Sequence, residues 1–559
     1  KEVKLEEKFL IDGIELIIEG RADGIITLDK EVYIEEIKST YKDVMFMDED
    51  YNELHWAQGK FYAYIYSLQN NLKTIYVKLS YFNVETEEVK SFDRKFSFEE
   101  LETYVNYIID EYKKMINLSL DIKQERNESI RKLQFPFKSY RKGQRELAVA
   151  AFNTIKEGEV LFSQAPTGIG KTISTLFPAI KSLEQDKGSR IVYLTAKTVT
   201  RKVAEDTIDI LKNNELKCKS ITLTSKEKIC FKEKVKCNPE YCEFAKDYYK
   251  KINDVIYKTL KENSTFTRER IEELSREYTV CPFESSLDLS SFCDVIICDY
   301  NYAFDPRARL KRFFEEAVDE NVILVDEAHN LVDRARGMFS AEINKKSYLE
   351  ASRLVKKEDK DLYKSLKDIN DYCIEIKNRL KELEIKSEYK KEEDKGLYKV
   401  LNKFLKECDR YLVKNFKSEA FETLKELYYS TRNFIAIREL YDESYVTLVE
   451  EYRNSINIKL YCINPSRNLK AIINESYASI LFSATLSPIN YYIDLLGGDI
   501  EKSYRLRLPS PFPKENLEVY KNNLNMRYGK REENIEKLCE IINRFINEKS
   551  GNYIAFLPS

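Results

Sequence analysis

The short apolar run Val160-Leu161-Phe162 leads almost directly into Ala165-Pro166-Thr167-Gly168-Ile169-Gly170-Lys171-Thr172, and a helical pattern follows at once. A glycine-rich loop ending in Lys-Thr between strand and helix demands one geometry. The buried strand must turn sharply so that backbone N–H groups converge on an anion at the helix N-terminus. Similar runs recur at Ile191-Val192-Tyr193-Leu194, Val295-Ile296-Ile297, Val322-Ile323-Leu324-Val325 and Ile480-Leu481-Phe482. Such runs suit strands buried on both faces of a parallel sheet, with ligands collecting at their carboxyl ends.

At 559 residues the chain exceeds the length that one hydrophobic core serves, so several domains are expected. No run of 18 apolar residues occurs, which predicts no membrane span and makes a cytoplasmic location the default. The first residue is Lys1, so the natural N-terminus is expected to lie upstream. The net charge of -3 gives no global attraction to nucleic acid, and binding must come from local patches. Residues 217–236 form one, with seven Lys against two Glu. His55 and His329 are the only histidines, which argues against a Ser-His-Asp triad or a multi-histidine metal site. The eleven cysteines are odd in number and clustered, unlike a secreted disulfide framework, so metal or cluster ligation is the better use.

Asp326-Glu327-Ala328-His329 follows the apolar run 322–325 and supplies the second half of a nucleotide site. Lys171 is expected to reach the β- and γ-phosphates of ATP, with Thr172 and Asp326 on Mg²⁺. Glu327 would orient and deprotonate the attacking water, and His329 would act as a coupler. Ala165 replaces the first glycine of the commonest loop pattern.

Residues 139–559 resemble the XPD/DinG group of iron-sulfur DNA helicases. The resemblance is carried by Tyr140-Arg141-Lys142-Gly143-Gln144-Arg145, the loop 165–172, Thr195-Ala196-Lys197-Thr198, residues 326–329 and Ser483-Ala484-Thr485. It implies that Gln144 positions the nucleotide, that Thr195, Lys197 and Thr198 touch DNA, and that Ser483, Ala484 and Thr485 couple hydrolysis to strand movement. It further implies ATP-dependent unwinding with 5′ to 3′ polarity in DNA repair or recombination. The expected partners are single-stranded and forked DNA, with no membrane and a monomeric form.

Cys230, Cys237, Cys242 and Cys281 are separated by six, four and thirty-eight residues, and the chain contains no C-x2-C zinc knuckle. This set matches the ligand pattern of DinG-like helicases and implies a [4Fe-4S] cluster. Cys218, Cys293 and Cys298 read as buried structural residues. Lys228, Lys232 and Lys234 would present a positive face to DNA beside the cluster. Residues 341–455, with a stripe at Leu362, Leu366, Ile369, Cys373, Ile376, Leu380 and Leu383, correspond in position to the helical arch of the group.

Upstream, residues 14–38 read as short strands broken by Gly20, Gly24 and Asp29-Lys30, and residues 53–69 as a helix. Glu36 and Lys38 share a strand face, and Gln58 and Tyr62 a helix face, so all four can converge with Asp23. Asp23 and Glu36 would hold a divalent metal, with Lys38 polarising water or phosphate. The pattern resembles RecB-like PD-(D/E)XK nucleases, including their Q-x-x-x-Y element. The expected class is therefore α/β: a RecA-like parallel-sheet lobe with Fe-S and arch insertions, preceded by a small α/β nuclease-like domain.

The expected boundaries are a nuclease-like domain at 1–120, a linker at 121–138, and a first RecA-like lobe at 139–217, 291–340 and 456–490. The cluster domain is expected at 218–290, the arch at 341–455 and the start of a second lobe at 491–559, with a strand at 551–559. On this reading the arginines of the second lobe are absent, and the chain alone is predicted to hydrolyse ATP poorly. Two further readings stay open: an ATP-regulated DNA clamp with an inactive nuclease-like docking domain, and an ATPase whose cluster carries electrons.

Overall fold

The computed structural model describes residues 2–40, 43–84, 86–314, 320–392, 394–415 and 418–556, without the side chains of Thr198 and Tyr528. They fall into two units, 1–509 and 510–559.

The first unit is organised around an eight-stranded sheet. Its order is Thr265–Phe266, Ser220–Thr222, Val295–Cys298, Arg190–Leu194, Asn321–Asp326, Ala478–Ser483, Val160–Gln164, Tyr504–Arg507. Every pairing is parallel. Asn321–Asp326 and Ala478–Ser483 are buried at every position, as expected of central strands covered by helices on both faces. All five apolar runs lie in this sheet, and the phosphate-type loop and the acid pair leave the carboxyl ends of Val160–Gln164 and Asn321–Asp326, which flank Ala478–Ser483.

Three boundaries differ from expectation. Ser220–Thr222 and Thr265–Phe266 belong to the main sheet, so the cysteine-bearing segment is threaded through the sheet edge instead of being one excursion from 218 to 290. Tyr504–Arg507 pairs with Val160–Gln164, so residues 491–507 complete the first sheet and do not begin a second lobe. The region 341–455 is helical but also contains strands. Ala341–Asn344, Ser455–Cys462, Tyr445–Tyr452 and Ser387–Lys390 form an antiparallel sheet beside its helices. The stripe is buried from Leu362 to Leu380 along Lys360–Glu382, and Leu383 is exposed.

At the N-terminal end, the hairpin Val3–Ile11 and Ile14–Ala22 precedes a four-stranded sheet ordered Gly24–Leu28, Glu31–Thr40, Thr74–Asn83, Val89–Ser97. Its central pair is parallel, and the helix Glu53–Asn70 is the crossover between those two strands. Gly20 does not break a strand. It lies inside Ile14–Ala22, where a Cβ would come within 2.5 Å of the Tyr62 hydroxyl.

The helix Phe98–Lys132 opens with a reciprocal Ser97–Glu100 capping box and runs without interruption into the main unit. The expected linker at 121–138 is thus helical as far as Lys132. Along this stretch Arg126, itself buried, donates from Nη1 to Asp294 Oδ1 at 2.7 Å, and Asp294 Oδ2 accepts from the Lys219 N–H at 2.7 Å. Lys181 Nζ donates to the Ile130 carbonyl at 2.5 Å, which satisfies an acceptor in the last turn of the helix.

The second unit, residues 510–559, contains the helix Arg531–Glu548, on which Phe545 packs edge-to-face with Tyr520 and Tyr553. Residues 551–556 form no strand, and 557–559 of the expected strand lie outside the described residues.

Candidate nucleotide and metal sites

Gly168 and Gly170 take left-handed backbone angles, and Gly170 immediately precedes the helix Lys171–Leu183. A Cβ at Gly170 would sit 2.5 Å from Gln144 Nε2, so only glycine lets the loop lie against this buried glutamine. Gln144 Oε1 accepts from the Arg141 N–H at 2.9 Å, and Arg141 Nη1 donates to the Gly168 carbonyl at 2.7 Å. The segment 141–144 therefore buttresses the loop. Ala165 is buried, and its N–H donates to the Ser483 carbonyl at 2.9 Å.

Lys171 Nζ lies 3.5 Å from Glu327 Oε1. Ser483 Oγ donates to Glu327 Oε2 at 2.9 Å and receives His329 Nδ1 at 2.7 Å. This order satisfies all three groups with a neutral histidine, in keeping with the lowered His329 pKa that burial produces. The Thr485 N–H reaches Ser483 Oγ at 3.2 Å, whereas Ala484 brings no polar side-chain atom to the network. Asp326 is buried and accepts from the Tyr193 hydroxyl at 2.9 Å. Burial pushes its carboxyl up to about 6, with the Tyr193 bond and the Lys171 charge opposing. Pro166, Thr167 and Ile169 lie in the same loop, Ile169 buried beneath it.

The loop, the acids, the histidine and the Ser-Ala-Thr segment thus meet in one place. A Lys-headed N–H cradle faces two carboxylates, one buried against a phenol and one held in a hydroxyl–imidazole chain. This geometry fits a metal-bound polyphosphate and a water activated beside it. Magnesium ligation by Thr172 and Asp326 fits an oxygen-only donor set.

The residues expected on DNA divide. Thr195 is buried with its hydroxyl on Thr200, so it supports the loop from within. Lys197 is exposed, Thr198 heads the helix Thr198–Lys212 with its side chain outside the described ones, and Lys228 lines a cavity of about 840 Å³. Arg201, Lys226, Arg307 and Arg334 add four cations to that cavity. Lys232 is paired with Glu243 at 2.6 Å, and Lys234 is exposed.

Phe231 and Phe244 pack at 4.9 Å, which ties the chain beside Cys230 to the chain beside Cys242. Lys226 lies 3.3 Å from Glu284, three residues beyond Cys281, and close enough to Cys237 for that sulfur to help raise its pKa. Cys281 stands at the start of the helix Pro282–Ser290, and burial raises its pKa, with the nearby backbone of Glu284 and Phe283 opposing. Among the described residues no three His, Cys, Asp or Glu side chains converge on a point suited to a metal ion. Cys218, Cys293 and Cys298 are buried, and burial pushes the Cys218 thiol up to about 12 and the other two upward as well.

In the N-terminal unit, Lys38 Nζ donates to Glu36 Oε2 at 2.9 Å and to Gln58 Oε1 at 2.8 Å. Gln58 Nε2 reaches the Tyr62 hydroxyl at 3.3 Å, and Asp23 Oδ2 accepts from the Ile37 N–H at 2.7 Å. All five expected residues are therefore brought together. Glu36 is 1% exposed and its Oε1 has no hydrogen-bond partner. Burial raises its pKa, with the Asp23 charge adding to that and Lys38 opposing. An orphaned buried carboxylate oxygen beside a second acid fits a divalent cation.

Sequence reasoning missed Tyr193, Tyr300, Arg201, Arg307 and Arg334. Tyr300 donates its hydroxyl to the carbonyls of Asp326 and Glu327, the latter at 3.1 Å. Tyr193, within an apolar run, carries no signal that separates it from core packing, and Tyr300, between Asp299 and Asn301, belongs to no motif.

The DEAD_2 family profile matches residues 195–348. A probable ATP-dependent helicase of Methanocaldococcus jannaschii is 23% identical over 485 residues, covering 74% of this chain and 69% of its own length. The XPD/RAD3 helicase subunit of general transcription and DNA repair factor IIH from Saccharomyces cerevisiae is 22% identical over 52% of this chain and 46% of its own. The chain spans 22% of a Caenorhabditis elegans homolog of regulator of telomere elongation helicase 1. A solved XPD helicase structure superposes with a TM-score of 0.45 at 17% identity, over 66% of this chain and 63% of that one.

Proposed function

We propose that this chain, related to the XPD/DinG-like DEAD_2 helicases, is the motor part of an ATP-dependent DNA helicase acting in DNA repair with 5′ to 3′ polarity. The observation that carries the reading is the Lys171–Glu327 approach at 3.5 Å inside the network of Ser483 and His329. Lys171 and the loop N–H groups neutralise the β- and γ-phosphates, Gln144 orders the loop, and Thr172 and Asp326 would hold magnesium, which supplies Lewis acidity at the phosphate. Glu327 takes the proton of the attacking water. Ser483 and His329 fix its carboxylate and link it to the strand that precedes Ala484 and Thr485. Lys197, Lys228 and the cavity arginines would take up the DNA backbone as paired phosphates.

Cys230, Cys237, Cys242 and Cys281 would hold a [4Fe-4S] cluster, which supplies a staple between segments with little core of their own. Lys226, lying between Cys237 and Glu284, offsets thiolate charge there. The N-terminal unit is read as a PD-(D/E)XK nuclease: Asp23 and Glu36 would hold a divalent metal, and Lys38, oriented by Gln58, polarises the scissile phosphate. ATP-dependent release of a labelled strand from forked DNA by the full-length protein is the expected result. Release that needs no ATP, or no release on any fork, would contradict it.

A further inference from the structure

Glu327 has φ of +49°, a left-handed conformation uncommon for a residue with a side chain. Tyr300, fully buried, shares its hydroxyl between the carbonyls of Asp326 and Glu327, the two that flank the Glu327 Cα. Tyr300 follows Asp299 at the end of Val295–Cys298 and precedes Asn301. Arg334 Nη2 binds Asp299 Oδ1 and Asn301 Oδ1, each at 3.0 Å. Asp299, Asn301 and Arg334 all line the 840 Å³ cavity that also holds Arg201, Lys228 and Arg307. Arg334 lies in the helix His329–Met338, which begins two residues after Glu327. The acid pair, Tyr300 and the Arg334 clamp therefore form one closed loop, with the clamp at the cavity and the hydroxyl at the acids.

Asp299 and a phosphodiester compete for the same guanidinium, because Arg offers planar donors suited to either anion. We infer that a nucleic-acid strand in this cavity draws Arg334 off Asp299, and that Tyr300 transmits the release to the backbone of Glu327. Strand occupancy thereby sets the position of the hydrolytic carboxylate. This rests on the ATPase reading above and adds its regulation. Tyr300 is a positioning residue: it touches neither nucleotide nor strand.

The test compares ATP turnover of the full-length protein with and without a single-stranded oligonucleotide for wild type, Tyr300→Phe and Arg334→Gln. Tyr300→Phe keeps the ring and removes the hydroxyl. The ratio of stimulated to unstimulated turnover is expected to fall about fivefold or more in both variants, with KM for ATP unchanged in Tyr300→Phe. A wild-type ratio in both variants, even with a lowered melting temperature, would overturn the inference and leave the motor standing. Absence of any stimulation in wild type would overturn both.

Discussion

Ser483 Oγ donates to Glu327 Oε2 at 2.9 Å across 156 residues of sequence, and accepts from His329 on its other side. One hydroxyl thus joins the strand Ala478–Ser483 to the carboxylate at the neighbouring strand end. Ser483→Ala removes the link without altering the sheet. The expected result is a kcat lower by about tenfold to a hundredfold with KM for ATP little changed, read by steady-state turnover with DNA present. A rise in KM at constant kcat would place Ser483 in ground-state binding instead.

Burial holds the Asp326 carboxyl at about 6 against an ordinary 3.8. Between those values the folded metal-free chain keeps a proton that the unfolded chain has lost, so stability falls as pH rises through that window. The loss is about 3 kcal/mol between roughly pH 4 and pH 7. Urea unfolding of chelator-treated protein measures it, and Asp326→Asn should flatten this part of the profile.

Arg126 and Asp294 are both buried where the helix Phe98–Lys132 meets the large sheet. Arg126→Ala leaves Asp294 with its Lys219 N–H bond and only the more distant charges of Lys219, Lys212 and Arg190. Removing one partner of a buried pair costs about 3–5 kcal/mol, so the denaturant midpoint should drop accordingly. A change within experimental error would mean that water replaces the guanidinium at this junction.

Glu36→Gln keeps the shape of the N-terminal site and removes a carboxylate charge that Lys38 meets at Oε2 while Oε1 has no partner. Calorimetric Mn²⁺ binding to this site, and any metal-dependent cutting of DNA, should be lost while the melting temperature of the metal-free chain does not fall. Because burial raises the Glu36 pKa, the neutral side chain relieves a penalty that the folded state carries above the ordinary carboxylate range. Unchanged Mn²⁺ affinity would rule Glu36 out as a ligand.

The parts legible in the sequence are those whose chemistry needs neighbours along the chain. The loop 165–172 must be contiguous to cradle phosphates, and Glu36 with Lys38, or Gln58 with Tyr62, share faces through strand and helix periods. What was hidden depends on contacts between distant segments. Tyr193 reads as core and Tyr300 belongs to no motif, and both become polar anchors only when the sheet brings them to the carboxyl end of Asn321–Asp326. Ser220–Thr222 and Thr265–Phe266 are too short to show alternation, and Tyr504–Arg507 is recognisable only by pairing with Val160–Gln164. The hairpin Tyr445–Tyr452 and Ser455–Cys462 did leave a trace. Arg453 and Asn454 form a two-residue left-handed turn, but the charged composition around it favoured helix.

The central claim is that Lys171, Asp326 and Glu327 serve one metal-bound triphosphate. DNA-stimulated ATP turnover of full-length Lys171→Ala beside wild type tests it most directly. A loss of about a hundredfold or more, with the variant folded and still binding single-stranded DNA, is the predicted result. Wild-type turnover in the variant would contradict the account.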